Sequence, residues 1–183
     1  MTADEFFDFA HRPENRDKHL ELERGRIVEM SLPGERHGVV CGNVTGMLAN
    51  FTFHRRHGYV CANNTGIIVE YDPDSVRCGD VTLYDEVRRY VELHRKYSDR
   101  APTLLIEVLS QNDGPEKVLR RVLGFLAMGV ALVWVIEPES RTLTVYRAGK
   151  EPVNFTAAEE VTGEEVLPDL RCKVADFFAL PGE

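Results

Sequence analysis

TLLIEVL, from Thr103 to Leu109, carries the reading of the fold. A strand with one face in water alternates apolar and polar residues, whereas a run that is apolar at successive positions is covered on both faces, as at the centre of a sheet. One residue, Glu107, breaks the run. Burying an unpaired carboxylate costs on the order of several kcal/mol, so Glu107 must stand at the strand's end, hold a proton or face a cation.

Beyond this run, the loop SQNDGP offers Asn112 or Asp113 as a cap, and a helix is expected from Pro115 to Met128. Val118, Val122 and Phe125 mark its inner face and Gly129 its stop. VALVWVIEP, Val130 to Pro138, is a second apolar run, with Trp134 read as core. RTLTVYR, Arg141 to Arg147, alternates as its antiparallel partner across a Glu139-Ser140 turn. Strand, helix and strand in this order read as a βαβ crossover. After Gly149-Lys150 the chain turns acidic, and a closing segment with Val174, Phe177, Phe178 and Leu180 is expected as a helix that completes the core.

Toward the N-terminus, Thr2 and Glu5 have the spacing of a capping box before Phe6, Phe9 and Ala10, so a short helix opens the chain and stops near Pro13. HLELERGRIVEM (19–30) alternates on both sides of Arg24-Gly25 and reads as a hairpin with Leu20, Leu22, Val28 and Met30 on one face. Val40, Val44, Met47, Leu48 and Phe51 form one stripe of a helix from about Arg36 to His54, with His37 on that stripe in its first turn. Gly58–Ala62 and Gly66–Tyr71 read as two strands joined by a tight Asn63-Asn64 turn, Asp72–Ser75 as a loop, and Asp80–Tyr84 as a further strand. The charged segment 85–100 reads as an irregular excursion. Within it, RRYVELHRKYSDR (88–100) is net basic with interleaved tyrosines, a candidate for phosphate contact and equally an ordinary solvated stretch. His54-Arg55-Arg56-His57 suits the negative end of its helix dipole.

The chain has 183 residues, 43% of them hydrophobic, enough for a core, and neither repeats nor a linker divide it, so a single domain over 1–183 is expected. No run approaches the ~20 apolar residues of a membrane helix, and MTADEFFDFAHRP lacks the layout of a secretory signal, which points to the cytoplasm and away from membranes. Cys41, Cys61, Cys78 and Cys172 have no zinc-knuckle spacing and read as free thiols, the first two as small buried hydrophobes. With 22 basic against 30 acidic residues the net charge is −8, which argues against coating nucleic acid by bulk positive potential but leaves room for a local basic groove.

Asp80 opens one strand, Glu107 interrupts the next, and a cationic helix carrying Lys117 and Arg121 follows. Two carboxylates on neighbouring strands make a hard, oxygen-rich site suited to Mg²⁺ or Mn²⁺, and the Val108 carbonyl is placed to supply a third ligand. A cation there also removes the burial problem of Glu107. Each residue has a plainer reading: Asp80 as a turn cap, His37 as a helix-terminal hydrogen-bond donor, Glu21 as a solvent-facing hairpin residue, and Lys117 and Arg121 as the solvated face of a helix.

Several blocks in order resemble the Uma2 family, whose members look like restriction endonucleases of the PD-(D/E)xK nuclease superfamily: HLELERGRIVEM at 19–30, His37 after a Pro-Gly loop, TGIIVEYDPDSVRCGD at 65–80, LLIEVLS at 104–110, GVALVWVIEPESRTLTVYR at 129–147 and LPDLRCKVADFF at 167–178. The resemblance covers nearly the whole chain. It implies an α/β fold, a restriction-endonuclease-like core in which a central mixed sheet is flanked by helices, and a metal-dependent phosphodiesterase site with its acidic ligands at Asp80 and Glu107. The family's proline-aspartate step falls on Gly79-Asp80. The superfamily's lysine two residues after the glutamate is Leu109 here, as is usual in this family. The lysine that Uma2-like chains carry on the following helix falls on Arg121, with Lys117 one turn earlier as the substitute. Glu21 falls on the family's additional carboxylate, placed to bind a second metal or orient the first. Arginine stays protonated, so at that position it is able to stabilise an anionic phosphorane but not to take a proton from water. His37 is placed to donate to a phosphate or to shuttle a proton.

The expected function is a Mg²⁺- or Mn²⁺-dependent endonuclease acting on DNA as a homodimer, so that two sites reach two strands. The alternative is a catalytically degenerate nuclease fold serving as a binding module, motivated by the missing lysine and the net acidity. Hydrolysis of a small phosphodiester is a third.

Overall fold

The computed structural model describes residues 1–111 and 113–182; Asn112, one of the two expected caps, lies outside the described residues. The crossover read from the two apolar runs is the centre of the molecule. Strand β5 (Leu104–Val108), helix α3 (Pro115–Met128) and strand β6 (Leu132–Glu137) follow one another, and β5 and β6 pair in parallel with Ile106 opposite Trp134. Their side chains divide with period two. Leu104, Ile106, Leu132, Trp134 and Ile136 pack on one side against Val40, Val44 and Leu48 of helix α2 (Glu35–Arg55), while Leu105, Val133 and Val135 meet Val122 and Phe125 of α3 on the other. Each side chain of this size buried in full contributes about 1.5–3 kcal/mol, so this double coverage fixes β5 and everything attached to it.

The remaining strands are β1 (Leu20–Glu23), β2 (Arg26–Glu29), β3 (Tyr59–Glu70), β4 (Ser75–Tyr84), β7 (Thr142–Arg147), β8 (Lys150–Thr156), β9 (Glu160–Gly163) and β10 (Leu167–Lys173). A short helix α1 (Ala3–Ala10), held by the Thr2–Glu5 capping box, packs Phe6 against Leu22 and Val76. The main sheet runs β2-β1-β4-β5-β6-β7-β8 with β3 on β4, and β9 and β10 form a separate pair. This is the expected mixed sheet with helices on both faces.

Several expectations are corrected. Asn63-Asn64 is not a turn: both residues have positive φ, but they form a bulge within one continuous strand, β3 taking three steps from Ala62 to Thr65 while β4 takes two from Val81 to Gly79. Residues that tolerate positive φ serve bulges as well as turns, and the partner strand decides, because β4 begins at Ser75 rather than Asp80. In the first hairpin, the two-residue turn at Arg24-Gly25, both with positive φ, pairs Leu22 with Ile27 and Glu21 with Val28. Val28 therefore shares the face of Glu21, not that of Leu22. The acidic stretch after residue 150 forms strands β8 to β10, whose outward carboxylates mask the alternation of Val161, Leu170 and Cys172, and the chain closes in a 3₁₀ turn, Val174–Phe177, in place of a helix. Gly114, without a side-chain bond, caps α3; Asp113 instead accepts from the Ser110 N–H and hydroxyl at 2.9 and 2.8 Å.

Segment 85–100 is irregular, as expected, with one 3₁₀ turn at Tyr90–Glu92. It is tied down at its end. Ile68 N–H donates to Ser98 O at 2.8 Å and Ser98 N–H to Gly66 O at 3.2 Å, and the Tyr97 ring lies so close to Gly66 that a Cβ there would meet it at 2.4 Å.

Candidate active site

Strand β4 is the axis of the site. Its one edge is taken by β3 over its full length; the other is shared end to end by β1, which pairs at Val76, and β5, which pairs at Val81–Leu83. Between them this edge of β4 is open, and Cys78, paired with Gly66 of β3 on the other side, has no strand opposite it here. Buried backbone groups need partners, and side chains supply them: Cys78 N–H donates to Glu21 Oε1 at 3.0 Å, and Cys78 O accepts from Arg121 Nη2 at 2.8 Å.

Arg121, on α3, fills this fork. Its Nη1 donates to Glu21 Oε1 and Oε2 at 2.9 and 2.7 Å, its Nε to Glu107 Oε2 at 3.2 Å and its Nη2 to Glu107 Oε1 at 3.1 Å. A guanidinium has five N–H donors, and these bonds with the one to Cys78 O engage all of them. Arg121 is 8% exposed and Glu21 4%, so neither has the solvated reading available to it in the sequence. Of the three ways open to Glu107, the fold uses a cation, and that cation is Arg121. Burial pushes the Glu107 carboxyl up to about 7, opposed by Arg121 and reinforced by the charges of Asp80 and Glu21. Arg121 is held protonated: burial works against its charge, and Glu107 and Glu21 outweigh burial.

Asp80 lies on the other side of Glu107. Its Oδ2 accepts from the Val108 N–H at 2.7 Å, and its Oδ1 stands 3.3 Å from His37 Nε2, delivered by the first turn of α2. Burial acts to lower the His37 pKa, but the hydrogen bond and charge of Asp80, with Glu107 and Asp113 behind it, raise it on balance. Cys41, one turn along α2, places Sγ 3.5 Å from His37 Nδ1. Burial first, then Asp80 and Glu107, push this thiol up to about 12, which keeps it neutral. His37, Cys41 and Asp80 present ligand atoms within 4.8 Å of one another. Cys41 was missed as a member of this cluster; its spacing of four from His37 on one helix was the available signal.

Glu21, His37, Asp80, Glu107, Val108, Lys117 and Arg121 all line one cavity of about 70 Å³. Oxygen donors from Asp80 and Glu107 beside Val108, in a space larger than the ~30 Å³ of one water, fit a hard divalent ion. Lys117 is at the rim, with Nζ bound to Asp113 Oδ1 at 3.0 Å. A groove of about 880 Å³ adjoins the cavity at His37, Ser110 and Asp113, and its wall carries Glu35, Glu137 and Glu139 against the single cation Arg36, which pairs with Glu139.

Four of the five Lys and Arg side chains of 88–100 pair with carboxylates, Arg88 with Glu86, Arg89 with Glu92, Lys96 with Asp4 and Asp8, and Arg100 with Glu86, while Arg95 is exposed. Most of the segment's positive charge is therefore balanced locally. At the end of α2, Arg55 bonds Asp85 at 2.9 Å and Arg56 forms the left-handed cap. Trp134 is core, as read, with no exposed surface.

A forked mixed sheet with two carboxylates at the fork, flanked by α2 and α3, defines the class to which the chain belongs. Residues 3–175 match the model of the family described as "Uma2: Putative restriction endonuclease", and the chain is a member of that family. Among solved structures, it is similar to a "putative nuclease belonging to DUF820" from Anabaena variabilis, with a TM-score of 0.80, 21% identity and 97% of each chain covered, a likeness of fold. No curated protein matches the chain. Among the described residues, no helix is long and apolar enough to cross a membrane.

Proposed function

We propose that the chain is a divalent-metal-dependent nuclease that hydrolyses phosphodiester bonds of DNA, a single domain over 1–183 working in the cytoplasm as a homodimer, with Asp80, Glu107 and the Val108 carbonyl holding Mg²⁺ or Mn²⁺. One observation carries this reading: Asp80 and Glu107, from adjacent strands, line the same small cavity as Val108, in a chain whose family carries the description "Putative restriction endonuclease". When bound, such an ion supplies an acidified water and a Lewis acid for a phosphate oxygen. The chain's own residues position and protonate. His37, whose Nε2 stands 3.3 Å from Asp80 Oδ1 at the cavity wall, is the group placed to hold or move a proton there. Lys117, paired with Asp113, offers a further cation at the rim. Arg121 does not touch substrate, since its donors are engaged; it positions Glu107 and Glu21.

The same geometry favours a second reading, a non-catalytic binding module, because the one buried cation is fully engaged and the adjoining groove is acidic. Plasmid nicking in Mg²⁺ separates the two. Nicking by the wild type that is lost in Asp80→Ala, in Glu107→Ala and in chelator supports the nuclease. A wild type that leaves plasmid intact, or variants that nick as well as it does, supports the module. Turnover of a small phosphodiester without nicking moves the substrate class and keeps the chemistry.

A further inference from the structure

We propose that the Arg121 guanidinium takes the place of a second cation in this site, so that the chain binds a single divalent ion on the Asp80 side of Glu107, and Glu21 is a positioning residue that does not ligate. The proposal rests on the metal-dependent reading above. It narrows the role the family resemblance left open for Glu21, and it follows from what each carboxylate oxygen already accepts.

A carboxylate has about four acceptor sites. At Glu21, Oε1 accepts from Arg121 Nη1 at 2.9 Å and from Cys78 N–H at 3.0 Å, and Oε2 accepts from Arg121 Nη1 at 2.7 Å, with Arg77 Nη1 in ion-pair range at 3.6 Å. Three hydrogen bonds and two guanidinium groups surround this carboxylate, and the side chain is 5% exposed. Its acceptor sites are nearly filled, and cations already stand against it. At Glu107 each oxygen accepts one bond, both from Arg121, and the side chain is 12% exposed toward the cavity. Asp80 binds through Oδ2 to Val108 N–H and faces His37 through Oδ1. Free acceptor capacity therefore remains on Glu107 and Asp80, which line the same cavity, while the guanidinium bridges Glu107 and Glu21.

Charge gives the same answer. With Glu21, Asp80 and Glu107 ionised and His37 neutral, three carboxylates less one guanidinium leave two negative charges, which one divalent ion neutralises. Arg77 is shared with Glu23 at 3.1 Å and leaves that balance nearly unchanged. A second ion between Glu21 and Glu107 would have to displace a cation already bonded to both, and would strand the Cys78 carbonyl that Arg121 satisfies.

The test is Mn²⁺ titration by calorimetry with electron paramagnetic resonance on the wild type, Glu21→Gln and Arg121→Met. The expected result is one Mn²⁺ per chain in the wild type, with the spectrum of an isolated ion, and an affinity in Glu21→Gln within about threefold. Arg121→Met, which frees Glu21, is expected to take up two ions. Two coupled ions in the wild type, a more than tenfold loss of affinity in Glu21→Gln, or uptake of only one ion by a folded Arg121→Met would overturn the proposal while leaving the metal-dependent reading intact. If Arg121→Met does not fold, the wild type and Glu21→Gln decide. A wild type that binds no Mn²⁺ removes that reading itself, and this inference with it.

Discussion

Arg121 reaches Glu21 across a hundred residues of sequence and closes, with one guanidinium, the gap between two strands that share the edge of a third. The contact is an ion pair inside the fold, and its loss leaves charge behind. Removing one partner of a buried pair costs about 3–5 kcal/mol because the other remains uncompensated. Arg121→Met is expected to lower stability by that amount in chemical denaturation, and Arg121→Lys, which keeps the charge but not the planar fork, by less. A change in Arg121→Met below about 1 kcal/mol, the range of surface pairs, would mean that the fork does not depend on this residue.

His37 is expected to matter for turnover more than for metal. Replacement by Gln keeps a polar side chain at Asp80 but removes the titrating group, and general acid–base contributions are typically about 10²–10⁴-fold. Nicking by His37→Gln should fall by at least tenfold with Mn²⁺ affinity within about threefold. A parallel loss of both would make His37 a ligand or a support for Asp80.

Gly66→Ala places a methyl where the Tyr97 ring stands, at 2.4 Å in the undistorted structure. Overpacking of this kind costs about 1–3 kcal/mol, and the strain should release the attachment of 97–98 to β3 first. Faster hydrogen exchange at Ile68 and Ser98, whose amides make that attachment, is the measurement. Unchanged protection would show that the segment is held elsewhere.

Glu86 gives a pH dependence away from the site. Burial acts to raise its pKa, but Arg100, Tyr59 and Arg88 together hold it below the usual carboxylate range. A depressed folded pKa stabilises above the unfolded value and is lost as pH falls through the folded one. Because the group is partly exposed, about 0.5–1 kcal/mol is at stake. Glu86→Gln should therefore cost stability at pH 7 and progressively less as the pH falls through the folded pKa; a loss that does not change with pH would point to packing rather than charge.

The β5–α3–β6 crossover was legible because its evidence is local: two apolar runs, a proline start, a glycine stop. Glu107 was legible as a candidate for the same reason, being out of keeping with its neighbours, whereas Asp80, read as opening a strand that in fact begins at Ser75, was singled out chiefly by the family resemblance. The fork was not. It depends on β1 and β5 meeting the same edge of β4, which no window of sequence contains, and so the partner of Glu107 could be named as a cation but not identified as Arg121 already shared with Glu21. The face of Val28 was misread although the turn was placed correctly: across a two-residue turn an even-numbered residue pairs with an odd-numbered one, Leu22 with Ile27, so the apolar alternation of the two strands does not fall on one face. Strands β8 to β10 were hidden by carboxylates on their outer face, where charge and a solvated loop look alike.

The most direct measurement is anomalous diffraction from a crystal soaked in Mn²⁺. One peak between the carboxylates of Asp80 and Glu107, beside the Val108 carbonyl, with Arg121 still bonded to Glu21, is the expected result. No peak there, or a peak between Glu21 and Glu107 with the guanidinium displaced, would contradict the site.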